Sequence, residues 1–497
     1  MKLPLALRPA RRITESPNYH WWVYSAVAVG MFMTVMDQSG LNIALPLIAE
    51  HFGADLPTVQ WVLLSYVLAT SALVMPMGRL SDMVGRKRVL IAGLAVFMSA
   101  AIVAGSANWY TLLIMAKVVQ AVGAAAIQAN GMAMITEAFP ERERGKALGM
   151  YMTIIGTGSI SGPIVGGLLV SGFGWRAVFF AGVPVALVAM AFASVAIRGP
   201  LSTAGRTHRL SFDWAGAALS SGALVTFLLA ITNAHRLGWG SPAILSGYAG
   251  AVVLLSVFVW WERRSDDPML DMNFFSSRQF SMGASSRGLS FLGNSMVFFM
   301  MPFYLVQVMG HPASRAGLLM VPGAICMAVM GPLIGRLSDK LGTRWPAVSG
   351  MAMSAAAMLV FSRLDPDSPD SHVVIGMVLS GSGMGAFSSP NTSAIMSSIG
   401  RESYGIASAF LNLTRTAANV TGVALATAIV SVTMASMGVE PNLGVVGDEG
   451  GARVREAFVE GLRRAFLVAA VFMVAALALS VVRGESDRPE ADDGAEG

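Results

Sequence analysis

The pentapeptide GRLSD occurs twice in this chain, at residues 78–82 and again at residues 335–339. Each copy follows a long apolar run and a proline, Pro76 or Pro332, and each is followed closely by a glycine and basic residues. One polar turn repeated between apolar segments in both halves indicates an internally duplicated membrane protein. Internal repeats of this kind are typical of transporters built from two helical bundles.

Composition agrees with a chain that crosses a membrane many times. Hydrophobic residues make up 54% of the 497 positions and charged residues only 13%, against about 25% charged in an average soluble domain. A mean hydropathy of +0.62 requires apolar spans along most of the chain. The single cysteine, Cys326, excludes an intrachain disulfide and a cysteine-based metal cluster.

Windows of about 20 apolar residues predict fourteen membrane-spanning helices. Their predicted limits are 21–46, 58–78, 89–107, 109–137, 146–170, 175–197, 212–232, 243–261, 280–308, 314–335, 346–363, 372–397, 405–434 and 462–482. Residues 2–20 are polar and basic and the apolar span after them is full length, so we expect no cleavable signal peptide.

The distribution of basic residues predicts the orientation of these spans. With the N-terminus inside, 23 of the 34 Lys and Arg residues fall in or beside cytoplasmic segments and eight in or beside external ones. Because cytoplasmic loops are enriched in Lys and Arg, we expect an even number of spans with both termini in the cytoplasm. The same bias explains the pI near 9.5, and we expect no nucleic-acid partner.

The spacing of the repeat predicts the architecture. The two copies are 257 positions apart, whereas six spans with short loops need only about 200 residues. We therefore expect an all-α integral membrane protein with two pseudo-symmetric six-helix bundles, at residues 1–197 and 280–483. Two additional, peripheral helices are expected in a linker at 198–279, and the acid-rich residues 484–497 are expected to be a disordered cytoplasmic tail.

Four motifs resemble those of one transporter family. They are the loop motif at Gly78–Lys87, the helix 1 motif at Met36–Pro46, the helix 4 motif at Lys117–Gly123, and a helix 5 motif made of Gly149, Gly158, Gly162, Pro163, Gly166 and Gly167. Together they are similar to the motifs of the major facilitator superfamily, and in particular of its fourteen-span drug:proton antiporter group. Met83 stands where the loop motif usually has a basic residue, and Lys117 where the helix 4 motif usually has arginine.

The resemblance implies export of a small amphipathic molecule in exchange for protons, by alternating access of the two bundles. We expect no cofactor. We also expect a monomer, surrounded by lipids as a multi-pass protein of the plasma (inner) membrane.

The loop motif has a physical interpretation of its own. Gly78 and Gly85 permit a tight turn, and the carboxylate of Asp82 can cap a helix N-terminus or pair with a basic residue such as Arg86. We expect this latch to hold one bundle against the other in the outward-facing state, with Asp339 in a weaker version of the same role. The alternative is a solvated turn whose positive charge only orients the helices. For Arg86, this alternative has at least as much support as the latch.

The glycines of helix 5 recur at intervals of nine, four and four residues, so several share one face. A face without side chains lets helices approach closely in lipid, and Pro163 interrupts the hydrogen-bond ladder and bends the span. We expect a tight, bent helix 5 that resists a leak between the bundles. The alternative is ordinary close packing with no bearing on the direction of transport.

Ionisable residues within the spans are the best site candidates, because a charge at the bilayer centre costs about 2.5–3.5 kcal/mol. Asp37 lies near the middle of helix 1, and Lys117 lies on helix 4 at a depth expected to be similar. We expect this pair to couple transport to protons: Asp37 stays charged beside Lys117 and takes up a proton when the two separate. The alternative is a static ion pair that fixes the helix register.

Other polar and flexible residues are candidates for a substrate cavity. They are Met33, Met36 and Gln120, which neighbour the charged pair, and Asn294, Asn412 and Arg415 in the second half of the chain. Hydrogen bonds between helices would explain the asparagines equally well. Arg287 lies near a helix end and is expected to snorkel toward it.

Absent motifs narrow the function. The sequence contains no Gly-x-x-x-x-Gly-Lys-Ser/Thr loop, which argues against ATP as the energy source, and its six histidines form no metal-binding pattern. We expect no metal and no enzymatic activity. The sequence predicts a proton-coupled antiporter that exports amphipathic or cationic organic compounds. The alternatives are an exporter or flippase of lipids or lipophilic metabolites, and a non-transporting membrane receptor.

Overall fold

The computed structural model describes residues 18–139, 144–197, 213–238, 240–264, 272–399, 404–440 and 451–483. These residues form fourteen long α-helices and no β-strand. The helices are α1 Tyr19–Phe52, α2 Leu56–Val84, α3 Arg86–Gly105, α4 Tyr110–Ala138, α5 Arg144–Phe173, α6 Arg176–Ala196, α7 Trp214–Leu237, α8 Pro242–Glu262, α9 Arg278–Phe303, α10 Ala313–Leu341, α11 Arg344–Phe361, α12 Asp370–Ser397, α13 Tyr404–Ser436 and α14 Gly451–Val482. A 3-10 helix at Met272–Ser276 precedes α9, and a π-helical turn at Tyr304–Val308 follows it.

This architecture confirms the expected all-α membrane fold. Eleven of the described helices are long and apolar enough to cross a membrane, by length and composition. The other three are α1, which carries the polar residues around Asp37, α7, whose apolar stretch is limited to Ala218–Ile231, and α11, the shortest of the fourteen.

Six helix pairings of the first half of the chain recur in the second half. In the first half, α1 packs against α4, α5 and α6, α3 packs against α4 and α6, and α5 packs against α6. Eight helices later, α9 packs against α12, α13 and α14, α11 packs against α12 and α14, and α13 packs against α14. The duplication indicated by the pentapeptide therefore extends to two six-helix bundles, α1–α6 and α9–α14.

The helices α7 and α8 lie outside the repeated pattern. They pack against each other, and α7 also contacts α13. On α8, the side chains of Val252, Val253 and Leu255 are more than half exposed. An apolar surface of this kind suits contact with lipid.

The described residues form two compact units. One lies within residues 1–212 and also includes Leu305–Leu318. The other lies within residues 213–304, 319–441 and 445–497, so α7 and α8 belong to the same unit as most of α9–α14. The domain limits expected at 197, 279 and 483 stay predictions, and the expected tail at 484–497 lies outside the described residues.

The repeated pentapeptide is helical, and the expectation of a turn within it is wrong. Residues 78–82 belong to the end of α2 and residues 335–339 to the end of α10. In both copies the serine hydroxyl donates a hydrogen bond of 2.7 Å to the carbonyl of the glycine three residues earlier. The chain turns only at Gly85 and Gly342, whose φ angles of 106° and 82° strongly favour glycine.

Most predicted helix limits lie within a few residues of the observed ones, and α14 is the main exception. It begins at Gly451 and not near residue 462. Its first turns contain Arg453, Arg455 and Glu456, which lower the hydropathy of the window while remaining good helix formers. A hydropathy window therefore finds the membrane segment and misses the turns before it.

Candidate functional site

Two opposite charges meet in the interior of the first bundle. Asp37 lies on α1 and Lys117 on α4, and Lys117 Nζ donates a hydrogen bond of 3.3 Å to Asp37 Oδ2. Gln120 closes a triangle, because its Oε1 accepts from Lys117 Nζ at 2.6 Å and its Nε2 donates to Asp37 Oδ1 at 3.2 Å. The exposed fraction is 4% for Asp37 and 0% for the other two. We call these three residues the ionic triad.

Aromatic rings surround the ammonium group of the triad. Lys117 Nζ lies 4.4 Å from the ring centroid of Tyr66 on α2 and 5.5 Å from that of Phe179 on α6. A desolvated cation gains about 2 kcal/mol over such a ring, which offsets part of the cost of burial. The Tyr66 hydroxyl is itself buried without a hydrogen-bond partner.

A cavity of about 10 Å³ adjoins the triad. Its walls come from α1, α5 and α6, where Gly40, Gly162, Gly166 and Gly182 leave the space open. Asp37 belongs to this lining, whereas the other two triad residues do not. The volume is close to the minimum that one water molecule needs, so the carboxylate is the part of the triad that a water can approach.

The glycines on one face of α5 bring its backbone against that of α1. A Cβ atom added to Gly166 would lie 2.8 Å from the Gly40 carbonyl oxygen, and one added to Gly162 would lie 2.8 Å from the Gly40 nitrogen. The hydroxyl of Ser39 donates a hydrogen bond of 3.2 Å to the Gly158 carbonyl. Helix 5 is thus as tightly packed as its glycine spacing predicts.

The C-terminal half of α5 also contacts residues 313–317, which belong to the same compact unit. A Cβ atom added to Gly167 would lie 2.6 Å from the Ala313 carbonyl oxygen, and one added to Gly317 would lie still closer to the Pro163 carbonyl oxygen. Pro163 lies inside the helix. Gly149 belongs to α5, and its surroundings lie outside the described part of the chain.

The predicted wall residues of the first bundle are mostly packed in its interior. Met33 and Gln120 have no exposed surface, and Met36 borders the small cavity beside Asp37. Gln120 is a member of the triad in this structure. Its position one turn from Lys117 indicates in the sequence that the two side chains are neighbours, because residues i and i+3 share a helix face. Nothing in the sequence indicates that Tyr66 lies beside Lys117.

The polar residues predicted for a cavity in the second bundle make hydrogen bonds. Ser380 Oγ on α12 donates to Asn294 Oδ1 on α9 at 3.1 Å. Arg415 Nη2 donates to Asn412 Oδ1 at 2.7 Å, one turn apart on α13. Asn412 and Arg415 are exposed, and Asn294 is half-buried.

Arg287 reaches from α9 to α12, and its side chain extends toward the start of α9. Its Nη1 donates a hydrogen bond of 3.0 Å to Thr392 Oγ1 on α12. Its guanidinium carbon lies 5.1 Å from the ring centroid of Phe291, one turn further into α9. Asn391, the residue before Thr392, donates a hydrogen bond of 3.1 Å to the carbonyl of Gly283, four residues nearer the start of α9. The guanidinium therefore extends in the expected direction, and the snorkelling expected for it stays a prediction.

Two basic residues of the loop motif bind neighbouring helices. Arg86 at the start of α3 forms a salt bridge of 2.8 Å with Glu137 near the end of α4. Lys87 Nζ donates to the carbonyls of Ser194 and Ile197, at 2.7 and 2.6 Å, where α6 ends. A cation at a helix C-terminus satisfies carbonyls that lack partners within the helix.

The latch itself stays a prediction. The side chains of Asp82 and Asp339 lie outside the described part of the chain. Gly78 belongs to α2, and a Cβ atom there would make ordinary contact with Ala129, 3.9 Å away. The pentapeptide glycine therefore has room for a side chain, in contrast to Gly85, whose backbone angle restricts it.

Nearly the whole chain matches a single known family. Residues 27–211, 206–423 and 283–497 match the profile of the Major Facilitator Superfamily. The riboflavin transporter RibZ of Clostridioides difficile is 29% identical over 391 residues, covering 79% of this chain and 84% of that protein. The tetracenomycin C resistance and export protein of Streptomyces glaucescens is 31% identical over 466 residues, covering 91% of this chain and 84% of that protein.

The fold is also similar to solved transporters. A bacterial homolog to the human lysosomal transporter Spinster, solved in an inward-facing and unoccupied conformation, aligns with a TM-score of 0.68. The alignment covers 94% of this chain and 97% of that chain, at 19% sequence identity. At this identity the likeness concerns the fold.

Proposed function

Because this chain belongs to the Major Facilitator Superfamily, we propose that it is a proton-coupled antiporter of the multidrug efflux type, which exports amphipathic or cationic organic compounds by alternating access. The chain is a multi-pass transporter of small molecules, because it belongs to this family, contains membrane-spanning helices and has transporters as relatives. A relative that confers resistance by export supports the direction of transport.

The ionic triad is the observation that carries proton coupling. Lys117 and Gln120 satisfy the Asp37 carboxylate in the bundle interior, where an isolated charge is costly. A movement or a cationic substrate that separates Lys117 from Asp37 leaves that charge alone, and a proton from the adjacent water-sized cavity neutralises it. When the pair forms again, the proton leaves. One proton is thus taken up and released each time the ion pair separates and forms again.

The remaining parts of the proposal concern orientation and gating. The excess of Lys and Arg in alternate loops supports an orientation with both termini in the cytoplasm of a plasma membrane protein. Asp82 forms the cytoplasmic latch with Gly78, Gly85 and Arg86, and Asp339 contributes the weaker copy. The protein acts as a monomer.

A second candidate is an exporter or flippase of lipids or lipophilic metabolites. One observation favours it: the relative RibZ is a riboflavin transporter, so proteins similar to this chain act on metabolites as well as on drugs. Competition between a cationic dye and a lipid for the purified protein separates the two candidates. A non-transporting receptor would show neither export nor proton flux.

The test is Asp37→Asn, which keeps the shape of the side chain and removes its titration. We expect the purified variant to remain folded and to lose proton-driven dye export by about tenfold or more, because no carboxylate is left to exchange the proton. The measurement is dye transport and proton flux in proteoliposomes with an imposed pH gradient. Asp367→Asn, at an exposed loop carboxylate, is the matched control and should transport like the unmodified protein.

Two results would contradict the proposal. One is export of a cationic dye by the Asp37→Asn variant at the unmodified rate and with an unchanged dependence on pH, which would place the proton site elsewhere. The other is the absence of proton flux on substrate addition in the unmodified protein.

A further inference from the structure

Two arginines lie close together in the second bundle, well inside their helices. Arg287 is nine residues after the start of α9 and Arg415 eleven residues after the start of α13, which corresponds to about 14 and 16 Å along the helix axes. The helices α9 and α13 pack directly against each other. A Cβ atom added to Gly288, next to Arg287, would lie 3.4 Å from the side chain of Thr414, next to Arg415. The two positive charges thus lie on adjoining turns of packed helices, where like charges repel each other.

No carboxylate among the described residues neutralises this pair. Arg287 donates to the hydroxyl of Thr392, and its Nε is buried without a hydrogen-bond partner. Arg415 donates to the side-chain oxygen of Asn412. Both partners are neutral, in contrast to the first bundle, where Asp37 compensates Lys117.

An uncompensated pair of this kind needs a reason. A single charge at the bilayer centre costs about 2.5–3.5 kcal/mol, and two like charges add their mutual repulsion. Arg287 is half-buried, and its guanidinium lies against the Thr392 hydroxyl and the Phe291 ring, neither of which carries a compensating negative charge. A bound anion would relieve the burial cost of the half-buried Arg287 and the repulsion between the two arginines.

The donors available suit an anionic oxygen group. A guanidinium carries five N–H donors in a planar fork that matches a carboxylate, and the hydrogen bonds of Arg287 and Arg415 use only a few of them. The amide nitrogen of Asn412 adds two more donors. Arg415 and Asn412 are exposed, so a ligand can reach them, and the Phe291 ring offers an apolar contact beside the charges.

We propose that Arg287, Arg415 and Asn412 form a subsite for an anionic group, such as a carboxylate, of the transported molecule. This inference rests on the proposed transport function and narrows its substrate class to amphipathic molecules that carry an anionic group, alone or beside a cation. A cationic compound without that group leaves the arginine pair uncompensated and binds more weakly.

The test compares two probes that differ in one group. They are a rhodamine dye with a free carboxylate and the methyl ester of the same dye, which share the cationic ring system. Binding is measured by fluorescence anisotropy with the full-length protein in phosphatidylcholine nanodiscs, without any gradient. We expect the carboxylate dye to bind about tenfold more tightly than the ester, as for hydrogen bonds to a charged group. Equal or weaker binding of the carboxylate dye, including no measurable binding, contradicts the proposal.

Variants then assign the preference to the subsite. Arg287→Gln and Arg415→Gln should each remove most of the preference, whereas Arg287→Lys should retain part of it because the charge remains. Arg363→Gln, at an exposed arginine of the same bundle, is the matched control. An unchanged preference in both glutamine variants would overturn the assignment.

Two further measurements distinguish the anion subsite from a lipid-phosphate site and from the proton site. Phosphatidylglycerol in the nanodiscs should not compete with the carboxylate dye; competition that the glutamine variants abolish would reassign the subsite to lipid phosphate and contradict the proposal. Asp37→Asn should leave the dye preference intact. A failure of proton coupling in that variant and a failure of anion recognition are therefore distinguishable.

Discussion

At the scale of single residues, the first bundle stabilises two charges that neither helix could bury alone. Asp37 receives hydrogen bonds from Lys117 and Gln120, and the ammonium group lies over the Tyr66 ring. In a buried pair of this kind, desolvation cancels much of the attraction, so the pair adds little net stability. Removal of one partner is different, because it leaves the other charge uncompensated.

This asymmetry gives a prediction about stability. Lys117→Met should lower the free energy of unfolding by about 3 kcal/mol or more, because the carboxylate of Asp37 is left buried without its counter-charge. The double variant Asp37→Asn, Lys117→Met should recover most of that loss. The measurement is thermal unfolding of the purified variants in one detergent.

The exposed salt bridge between Arg86 and Glu137 provides the comparison. Both side chains are partly solvated, so Glu137→Gln should change the stability by less than about 1 kcal/mol. If the double variant is no more stable than Lys117→Met alone, the two charges do not depend on each other energetically, and the triad is not the coupled unit described above.

The sequence identified the charged residues of the triad and not its other contacts. Asp37 and Lys117 stand out because charges within spans are rare, and their pairing follows from their similar depth. The sequence predicts Gln120 only as a cavity wall residue, because it neighbours Lys117 and a neutral amide has no preferred partner in a sequence. The pairing of Arg287 with Thr392 was missed because it depends on how α9 and α12 face each other.

At the scale of helices, backbone contact between α1 and α5 fixes the geometry around Asp37. Gly162 and Gly166 allow the contact with Gly40, and the same glycines form the wall of the cavity beside the carboxylate. In lipid, such packing replaces the hydrophobic effect as the force between helices. The glycines of the helix 5 motif therefore support the ionic triad by letting α5 pack tightly against α1.

Gly166→Ala tests this contact. Its new Cβ atom would lie 2.8 Å from the Gly40 carbonyl oxygen, so the helices must separate, and overpacking of this kind costs about 1–3 kcal/mol. Gly156→Ala on the same helix is the control, because nothing lies within 4 Å of its Cβ position and alanine is the better helix former by about 1 kcal/mol. Thermal unfolding should therefore change in opposite directions. A similar response of both variants would contradict the role of the contact.

The ends of helices were predicted less well than their existence. The GRLSD repeat was expected to be a turn, yet all five residues tolerate helical angles and the helix continues to Gly85 or Gly342. Hydropathy identifies residues that belong in lipid. It does not identify where a helix that leaves the membrane stops, and for that the glycine with a positive φ angle is the better signal.

At the scale of the whole molecule, the duplication explains the order of the helices. Six of the pairings among α1, α3, α4, α5 and α6 recur eight helices later among α9 and α11–α14. Apolar windows predict the fourteen helices, and the spacing of the repeated pentapeptide predicts their arrangement as six, two and six. The division into compact units could not be predicted in the same way. Residues 305–318 group with the first unit because of three-dimensional contacts that hydropathy and spacing do not encode.

The inserted helices give the last prediction, which concerns topology. α7 has 24 residues, about 36 Å at 1.5 Å per residue, which exceeds the roughly 30 Å of a hydrocarbon core. Its apolar stretch, Ala218–Ile231, is shorter. The length of the helix therefore favours a membrane span, whereas its composition also fits a re-entrant hairpin of α7 and α8 that returns to the same side. If α7 and α8 both cross, residues 205 and 270 share the cytoplasmic side and residue 240 lies outside.

Cysteine labelling distinguishes the two arrangements. Cys326 is the only cysteine in the chain, so Cys326→Ser gives a clean background for Gly205→Cys, Gly240→Cys and Leu270→Cys. Gly240 is preferable to its neighbour Gly238, whose φ angle of 88° would strain a cysteine. In intact cells an impermeant maleimide should label only the cysteine at 240, and the other two should react only after lysis. A re-entrant hairpin would protect all three in intact cells, and that result would reduce the protein to twelve spans.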